Sequence, residues 1–262
     1  MGRKIRVALG ICLAAAATAG LTGCQPGENK AGSKPSTSHS SKGTKTKDPF
    51  DGLTADEIAD RAMKATTGAT SLRMKGEVPD EESGGTIRVD FALDKKGECA
   101  GTMGLKGQGE AELIKTGDTL YMKYDEAFLR AQSKGESKAD TDAAVALLAG
   151  KWTKMSAKGS DAKDIASFCD LDVVLGDAED GTSGATRGKT TTVDGAPALL
   201  LHEKAGKERH TLYVATEGEP YLLRFESHTP GDRGHLTLSD YNKPVPAQKP
   251  SGKILDMDQL GG

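Results

Sequence analysis

From about residue 70 onward, hydrophobic and polar residues mostly alternate, in short runs separated by glycine-containing turns. Alternation places every second side chain on one face of a strand, so each run predicts a half-buried β-strand. The runs 72–78 and 87–93 flank Gly84-Gly85, and Asp194-Gly195 has the composition of a hairpin turn. The runs predict about eleven strands, more than a sheet usually holds. We therefore expect a strongly curved antiparallel meander.

The sequence also predicts four helices. The first precedes the strands: Thr54 and Glu57 form a capping-box pattern, Ile58 and Ala62 fall on one stripe, and Gly68 ends the helix. Three further helices are predicted in the middle of the chain: 125–131, 140–149, and one capped by Ser160 or Asp161 with Ile165, Phe168 and Cys169 on one side. The whole pattern predicts an α+β domain.

The N-terminus has the order of a secretory signal. Arg3, Lys4 and Arg6 precede an apolar run over residues 7–19, which is too short to cross a membrane comfortably. The run ends in Leu21-Thr22-Gly23-Cys24, which resembles a bacterial lipobox, where the cysteine becomes the lipidated first residue of the mature protein. The alternative is a plain signal peptide with an incidental cysteine. We expect a signal peptide over residues 1–23 and anchoring through Cys24.

Composition divides the remaining chain into a tether and a domain. Residues 24–47 are the lipidated cysteine and a segment rich in Ser, Thr, Lys and Gly, which is too polar to fold and is predicted to be disordered. Residues 25–47 hold five lysines and one acidic residue, whereas residues 48–262 hold 27 basic and 37 acidic residues. The basic tether suits an anionic membrane surface, and the acidic domain argues against nucleic acid as a partner.

Two cysteines, Cys99 and Cys169, remain after Cys12 leaves with the signal and Cys24 takes the lipid. A pair of cysteines in an exported domain predicts a disulfide. Free thiols and a two-cysteine metal site are the alternatives, although no further ligands lie near either cysteine in sequence.

No sequence motif for catalysis, nucleotide binding or a resident metal is present, so we expect neither an enzyme nor a cofactor. The glycines at 101, 104, 107 and 109 precede no strand-to-helix switch and are interpreted as points of close packing or bending in a curved sheet. Among the scattered histidines, His210 shares parity with Leu212 and is expected to face inward as a rim residue. The acidic cluster around Asp177 is interpreted as a solvated loop, with a weak cation site as the alternative.

The order of these segments resembles the LolA-like superfamily. A lipobox, a polar tether, an opening helix, a curved meander interrupted by helices and a second meander are similar to the actinobacterial lipoproteins of the LppX and LprG type. The resemblance covers residues 53–260 and includes no diagnostic catalytic motif. It implies an antiparallel half-barrel over residues 48–262, with helices covering its concave face and an apolar cavity that holds lipids or lipidated molecules.

Parity places one set of apolar side chains on the face expected to line this cavity. The candidate lining residues are Met74, Val89, Phe91, Met103, Leu113, Met122, Leu201, Leu212, Val214, Leu223 and Phe225. The methionines are either ordinary core or an adaptable cavity wall, because thioether chains fit varied apolar shapes. The alanine-rich helix 140–149 is the candidate gate, through Ala143, Leu147 and Leu148.

Two functions remain in consideration. The first is a cell-surface lipoprotein that binds a lipid or another hydrophobic ligand for transport or storage in the envelope. The alternative is a membrane-tethered sensor or interaction module that binds a peptide or partner protein and stores no lipid. In both cases we expect a monomer anchored to the outer face of the cytoplasmic membrane, with an envelope protein as a further partner. The ligand itself is not identified by the sequence.

Overall fold

The computed structural model describes residues 48–80, 85–160, 162–175 and 184–259. The signal peptide, Cys24, the tether and the acidic residues from Asp177 to Asp180 lie outside the described residues. Within these ranges, no helix is both long and apolar enough to cross a membrane.

One curved sheet of twelve strands dominates the described domain. The strands are β1 Ser71–Pro79, β2 Thr86–Asp94, β3 Cys99–Leu105, β4 Glu110–Thr116, β5 Thr119–Tyr124, β6 Trp152–Ser156, β7 Thr186–Val193, β8 Ala196–Ala205, β9 Glu208–Ala215, β10 Leu222–Thr229, β11 Asp232–Ser239 and β12 Ile254–Asp256. Their spatial order is β12-β6-β5-β4-β3-β2-β1-β11-β10-β9-β8-β7. All neighbours are antiparallel except β12, which pairs in parallel with β6. The expected α+β half-barrel is confirmed, with β12 as a strand that the sequence pattern did not predict.

Helix α1, Ala55–Gly68, begins as its sequence predicts. The Thr54 hydroxyl accepts the Glu57 N–H, and the Glu57 carboxylate accepts the Thr54 N–H at 2.8 Å, so both halves of the capping box are present. Ile58, Ala59 and Ala62 are fully buried. At the far end of the helix, the hydroxyl of Thr66 accepts the backbone N–H of Leu222, which ties α1 to the start of β10.

The middle helices differ from their predicted bounds. Helix α2 is Glu126–Gln132 with Asp125 as its N-cap, and α3 is Lys138–Leu148 with Ser137 as its N-cap. The third predicted helix is two short ones, α4 Lys163–Ser167 and α5 Leu171–Leu175. The expectation that Phe168 and Cys169 share one side is wrong, because the chain turns between these helices and leaves Phe168 exposed while Cys169 and Leu171 are buried.

Glycines allow the sheet to bend sharply, as the sequence indicated. A Cβ atom at Gly101 would lie 2.0 Å from the carbonyl oxygen of Asp90, and one at Gly76 would lie 2.0 Å from the carbonyl oxygen of His235. Neighbouring strands therefore approach too closely at these points for any side chain. Gly76 lies on β1 and Gly101 on β3, so both of these close approaches are in the central part of the sheet.

Candidate functional site

A continuous row of apolar residues crosses the concave face of nine strands. The cross-strand register runs from β8 to β5 through Leu201, Leu212, Phe225, Leu236, Gly76, Val89, Met103, Ala111 and Tyr124. We call these nine residues the apolar row. Directly opposed residues on one face of a sheet lie about 5 Å apart at Cβ, so the row forms an unbroken apolar path around the half-barrel.

Burial varies along this face. The residues of the β8 and β9 part are almost fully covered: Leu201 is 0% and Leu212 is 3% exposed. By contrast, Val89, Met103 and Phe225 are partly buried and pack against the edge of the core. Helix α1 contacts β7, β9 and β10, which explains why the second half of the face is the better covered. Partly covered apolar side chains of the concave face therefore include Val89 and Met103.

The candidate lining residues occupy this face with one exception. Six are buried in the core: Phe91, Leu113, Met122, Leu201, Leu212 and Val214. Four more are partly buried against it: Met74, Val89, Met103 and Phe225. Leu223 belongs to neither group, because a register shift between Leu222 and Arg224 moves the core position to Leu222. Leu236 and Tyr124 lie on the same face and were not predicted, although the sequence shows the parity of each with a neighbouring core residue.

Tyr124 and Phe128 close one end of the apolar row. Their rings stack with centroids 5.6 Å apart, and the Tyr124 hydroxyl donates to the Met122 sulfur at 3.2 Å. Burial raises the pKa of Tyr124, so the phenol stays neutral in this apolar surrounding. Asp125 holds this arrangement, because its carboxylate caps α2 at the Phe128 N–H and also accepts the Glu110 N–H.

The candidate gate helix α3 is lightly attached. None of its residues is buried, Ala143 is exposed, Leu147 is 47% exposed, and Leu148 is only partly covered. An ion pair between Arg130 of α2 and Asp142 of α3, at 2.9 Å, links the two helices. Such exposed pairs contribute little to stability. Helix α3 therefore contributes no buried residue to the core, and its role as a gate stays a prediction.

A disulfide joins Cys99 of β3 to Cys169, which lies between α4 and α5. Both cysteines are 1% exposed, and Leu171 beside them is fully buried. The bond fixes the α4–α5 segment over the concave face, at the end of the sheet opposite to α2 and α3. The disulfide-linked segment thus lies at one end of the concave face, and α2 and the lightly attached α3 lie at the other.

The convex face has a different character. It carries charged and polar side chains, including Arg224, whose Nε donates to Glu226 at 2.6 Å, and Arg73, which pairs with Asp90 at 2.7 Å. A polar groove of about 270 Å³ lies on it around β10 and β11. Trp152 also belongs to this face, with Lys123 5.2 Å from its ring centroid. Among the described residues, no group of three or more His, Cys, Asp or Glu side chains could hold a metal ion.

Comparison with known proteins identifies the fold. No protein-family model and no curated protein matches this chain. The solved structure of LprF from Mycobacterium bovis is similar over 76% of this chain and 97% of LprF, with 18% identity and a TM-score of 0.53. The lipoprotein LppX from Mycobacterium tuberculosis aligns over 74% of this chain and 98% of LppX, with 15% identity and a TM-score of 0.48.

At this level of identity the likeness to LprF establishes the fold alone. The described domain therefore has the fold of LprF, a curved antiparallel half-barrel, which is the fold that the sequence resemblance implied.

Proposed function

We propose that this protein is an exported lipoprotein that binds a lipid or another hydrophobic ligand on the concave face of its half-barrel. In this proposal, acylated Cys24 holds the chain on the outer face of the cytoplasmic membrane. The tether lets the domain reach past the lipid head groups, because a flexible coil of its length has a mean reach of roughly 25 Å. Binding would serve the transport or storage of envelope lipid.

The apolar row is the observation that carries the proposal. It is continuous over nine strands, and its partly buried residues, which include Val89 and Met103, form an apolar surface that an acyl chain can cover. Each methylene of such a chain gains about 0.8 kcal/mol on leaving water. The charged convex face offers no comparable surface, so the concave face is the site that a hydrophobic ligand would occupy.

Release of the ligand requires a movable element, and α3 fits this role. Its attachment includes the exposed Arg130–Asp142 pair, and it contributes no buried residue. In the proposal, outward movement of α3 opens the end of the half-barrel where α2 and α3 lie. The disulfide keeps the opposite end shut.

A polar substitution on the concave face tests the site. Met103→Gln keeps the length of the side chain but places an amide against the acyl chain, which then loses an apolar contact. We expect a pyrene-labelled alkyl ester to bind the variant about tenfold more weakly than the wild type, as measured by fluorescence titration.

Thr102→Gln is the matched control, because Thr102 is the adjacent residue on β3 and faces the convex side. The control should bind like the wild type. Equal binding by the wild type and Met103→Gln, with both proteins folded, would place the ligand elsewhere.

For the anchor, the intact mass of protein extracted from membranes of its own host should correspond to a chain that begins at acylated Cys24; an unmodified mass contradicts that part of the proposal.

A further inference from the structure

Two hairpins at one end of the half-barrel bring basic residues together. Lys204 on β8 is the register partner of Arg209 on β9, and Lys207 lies in the turn between them. On the other hairpin, His228 of β10 is the partner of Arg233 on β11. We call these five residues the basic cluster. Like charges that are directly opposed on one face of a sheet destabilise the pair, so the chain carries this arrangement at a cost.

The two hairpins lie side by side. Ser227 of β10 is the partner of His210 on β9, and the backbone N–H of Arg209 donates to the Thr229 hydroxyl at 3.0 Å. Arg209 therefore lies beside His228, and the basic cluster extends over the neighbouring strands β8, β9, β10 and β11. All of its residues are exposed. The cluster is thus a continuous patch on the surface of the domain.

Carboxylates of the domain do not neutralise this patch. The lysines and arginines of the basic cluster have no ion-pair partner within the described ranges of the chain. Glu226 lies 3.5 Å from His228, but it also binds Arg224 at 2.6 Å. Glu203 and Glu208, on the first hairpin, have the strand parity opposite to that of the cluster. The positive charge of the patch therefore remains available to an external partner.

The rest of the convex face shows the contrasting arrangement. Lys75 on β1 is opposed by Asp90 on β2, and Glu112 on β4 is opposed by Lys123 on β5. Their charged groups lie 3.5 Å and 2.5 Å apart, respectively. Opposite charges are thus matched across these strands within the protein. The basic cluster departs from this pattern, and an anionic partner outside the domain would supply the missing counter-charge.

The chain enters the domain near the basic cluster. Asp48, the first described residue, pairs with Arg187 of β7 at 2.6 Å. Arg187 is the register partner of Leu201, which precedes Lys204 on β8 by three residues, or about 10 Å along the strand. The tether therefore joins the domain at the end that carries the cluster.

We propose that the basic cluster docks this end of the half-barrel on the anionic surface of the membrane. The inference rests on the proposed anchor at Cys24, which keeps the domain close to that surface. Residues 48–262 hold 27 basic and 37 acidic residues, so anionic lipid repels the domain as a whole and the cluster selects one orientation. Helices α2 and α3 lie at the same end, so docking turns the proposed gate toward the bilayer.

The shape of the basic cluster suits a bilayer better than a single small anion. Four neighbouring strands span about 14 Å, which is the width of several lipid head groups. The polar groove beside the cluster is lined by Glu77 and Glu226 as well as by Arg233, so it does not concentrate positive charge around one phosphate. Exposed cations spread over two hairpins instead match a surface on which the negative charges are also spread.

Vesicle binding by the mature chain, kept in solution by Cys24→Ser, tests the proposal. Vesicles of phosphatidylcholine and phosphatidylglycerol in equal parts are compared with vesicles of phosphatidylcholine alone by co-sedimentation. We expect this parent chain to bind the anionic vesicles at least about tenfold more tightly, and added salt to weaken the binding. A cation near the surface changes the affinity about fivefold, so the double variant Lys204→Gln/Arg209→Gln should bind anionic vesicles at least about tenfold more weakly than the parent.

Lys96→Gln/Lys163→Gln is the matched control, because it removes the same charge from exposed positions at the opposite end of the half-barrel. The tether lysines are the same in every variant, so a difference between the two double variants comes from the domain. Arg233→Gln is a further variant, expected to bind about fivefold more weakly, in case the first double variant does not fold.

Equal binding of both kinds of vesicle by the parent chain overturns the docking inference. So does equal binding of anionic vesicles by the control and by the folded variants of the basic cluster. Titration with the pyrene-labelled ester separates this failure from a failure of the proposed function. A parent chain that binds the ester but does not prefer anionic vesicles refutes the docking alone, whereas one that does not bind the ester refutes the hydrophobic ligand site.

Discussion

Single residues decide where this sheet bends and which side chains face inward. The glycines on β3 were interpreted as points of close packing or bending, and the contact at Gly101 confirms close packing of β3 against β2. The β10 bulge was not predictable, because Leu222 and Leu223 are adjacent and equally apolar. Alternation predicts which face a side chain occupies only while the register is regular. One extra residue in β10 therefore puts Leu222, and not Leu223, on the core side of the strand.

Substitution of Gly101 measures how much the close approach of β3 to β2 contributes to stability. A methyl group there would meet the Asp90 carbonyl at 2.0 Å and the Phe91 ring at 2.6 Å. We expect Gly101→Ala to lower the free energy of unfolding by roughly 1–3 kcal/mol, measured by urea denaturation, because the strands must separate to accept the group.

Gly68→Ala provides the contrast at the end of α1. Nothing lies within 4 Å of a methyl group at that position. The substitution should be neutral or stabilising by up to about 1 kcal/mol, since it restricts the unfolded chain without a clash. If both variants have the same stability, the close strand approach at Gly101 is not a real constraint.

Elements with local signals were predicted well, and elements that depend on distant partners were not. The capping box of α1 is local, and its predicted start is confirmed. The split between α4 and α5 follows from the position of Cys169 against the sheet, which no local periodicity encodes. Strand β12 has only three residues and pairs in parallel with a strand about one hundred residues earlier, so the alternation rule had no run long enough to detect it.

The charge of Glu57 makes the start of α1 dependent on pH. Hydrogen bonds from the backbone N–H and then the hydroxyl of Thr54, followed by the charge of Arg61, lower the pKa of Glu57. A carboxylate with a lowered pKa stabilises the folded state above its unfolded pKa, and this contribution is lost as the pH falls through the folded value. The melting temperature of Glu57→Gln should therefore lie below that of the wild type at about pH 7 and approach it at about pH 2.5.

Glu217→Gln is the control variant for this comparison of melting temperatures, since Glu217 is exposed in a turn. Its melting temperature should follow that of the wild type at both pH values. A pH-independent difference for Glu57→Gln would show that the loss comes from packing or geometry and not from the carboxylate charge.

At the scale of the whole molecule, the sequence predicted the curved antiparallel sheet, the covering helices and the cysteine pair. Strand parity and turn composition are signals within short segments of the chain, and the cysteine pair follows from the number of cysteines. The sequence therefore contains each of these signals directly. It did not predict the relation between the two halves of the concave face. The apolar row crosses from one half to the other only because β11 pairs with β1 across more than 150 residues, which brings Leu236 beside Gly76. Such a register is set by tertiary packing.

The central claim is that the concave face holds a hydrophobic ligand. Native mass spectrometry, combined with organic extraction, on the protein purified from its own host tests this most directly. We expect one lipid per chain, carried through purification and released into the organic phase. A ligand-free mass that gains nothing on incubation with lipids from the host would contradict the claim, and it would favour a module that binds a peptide or a partner protein instead.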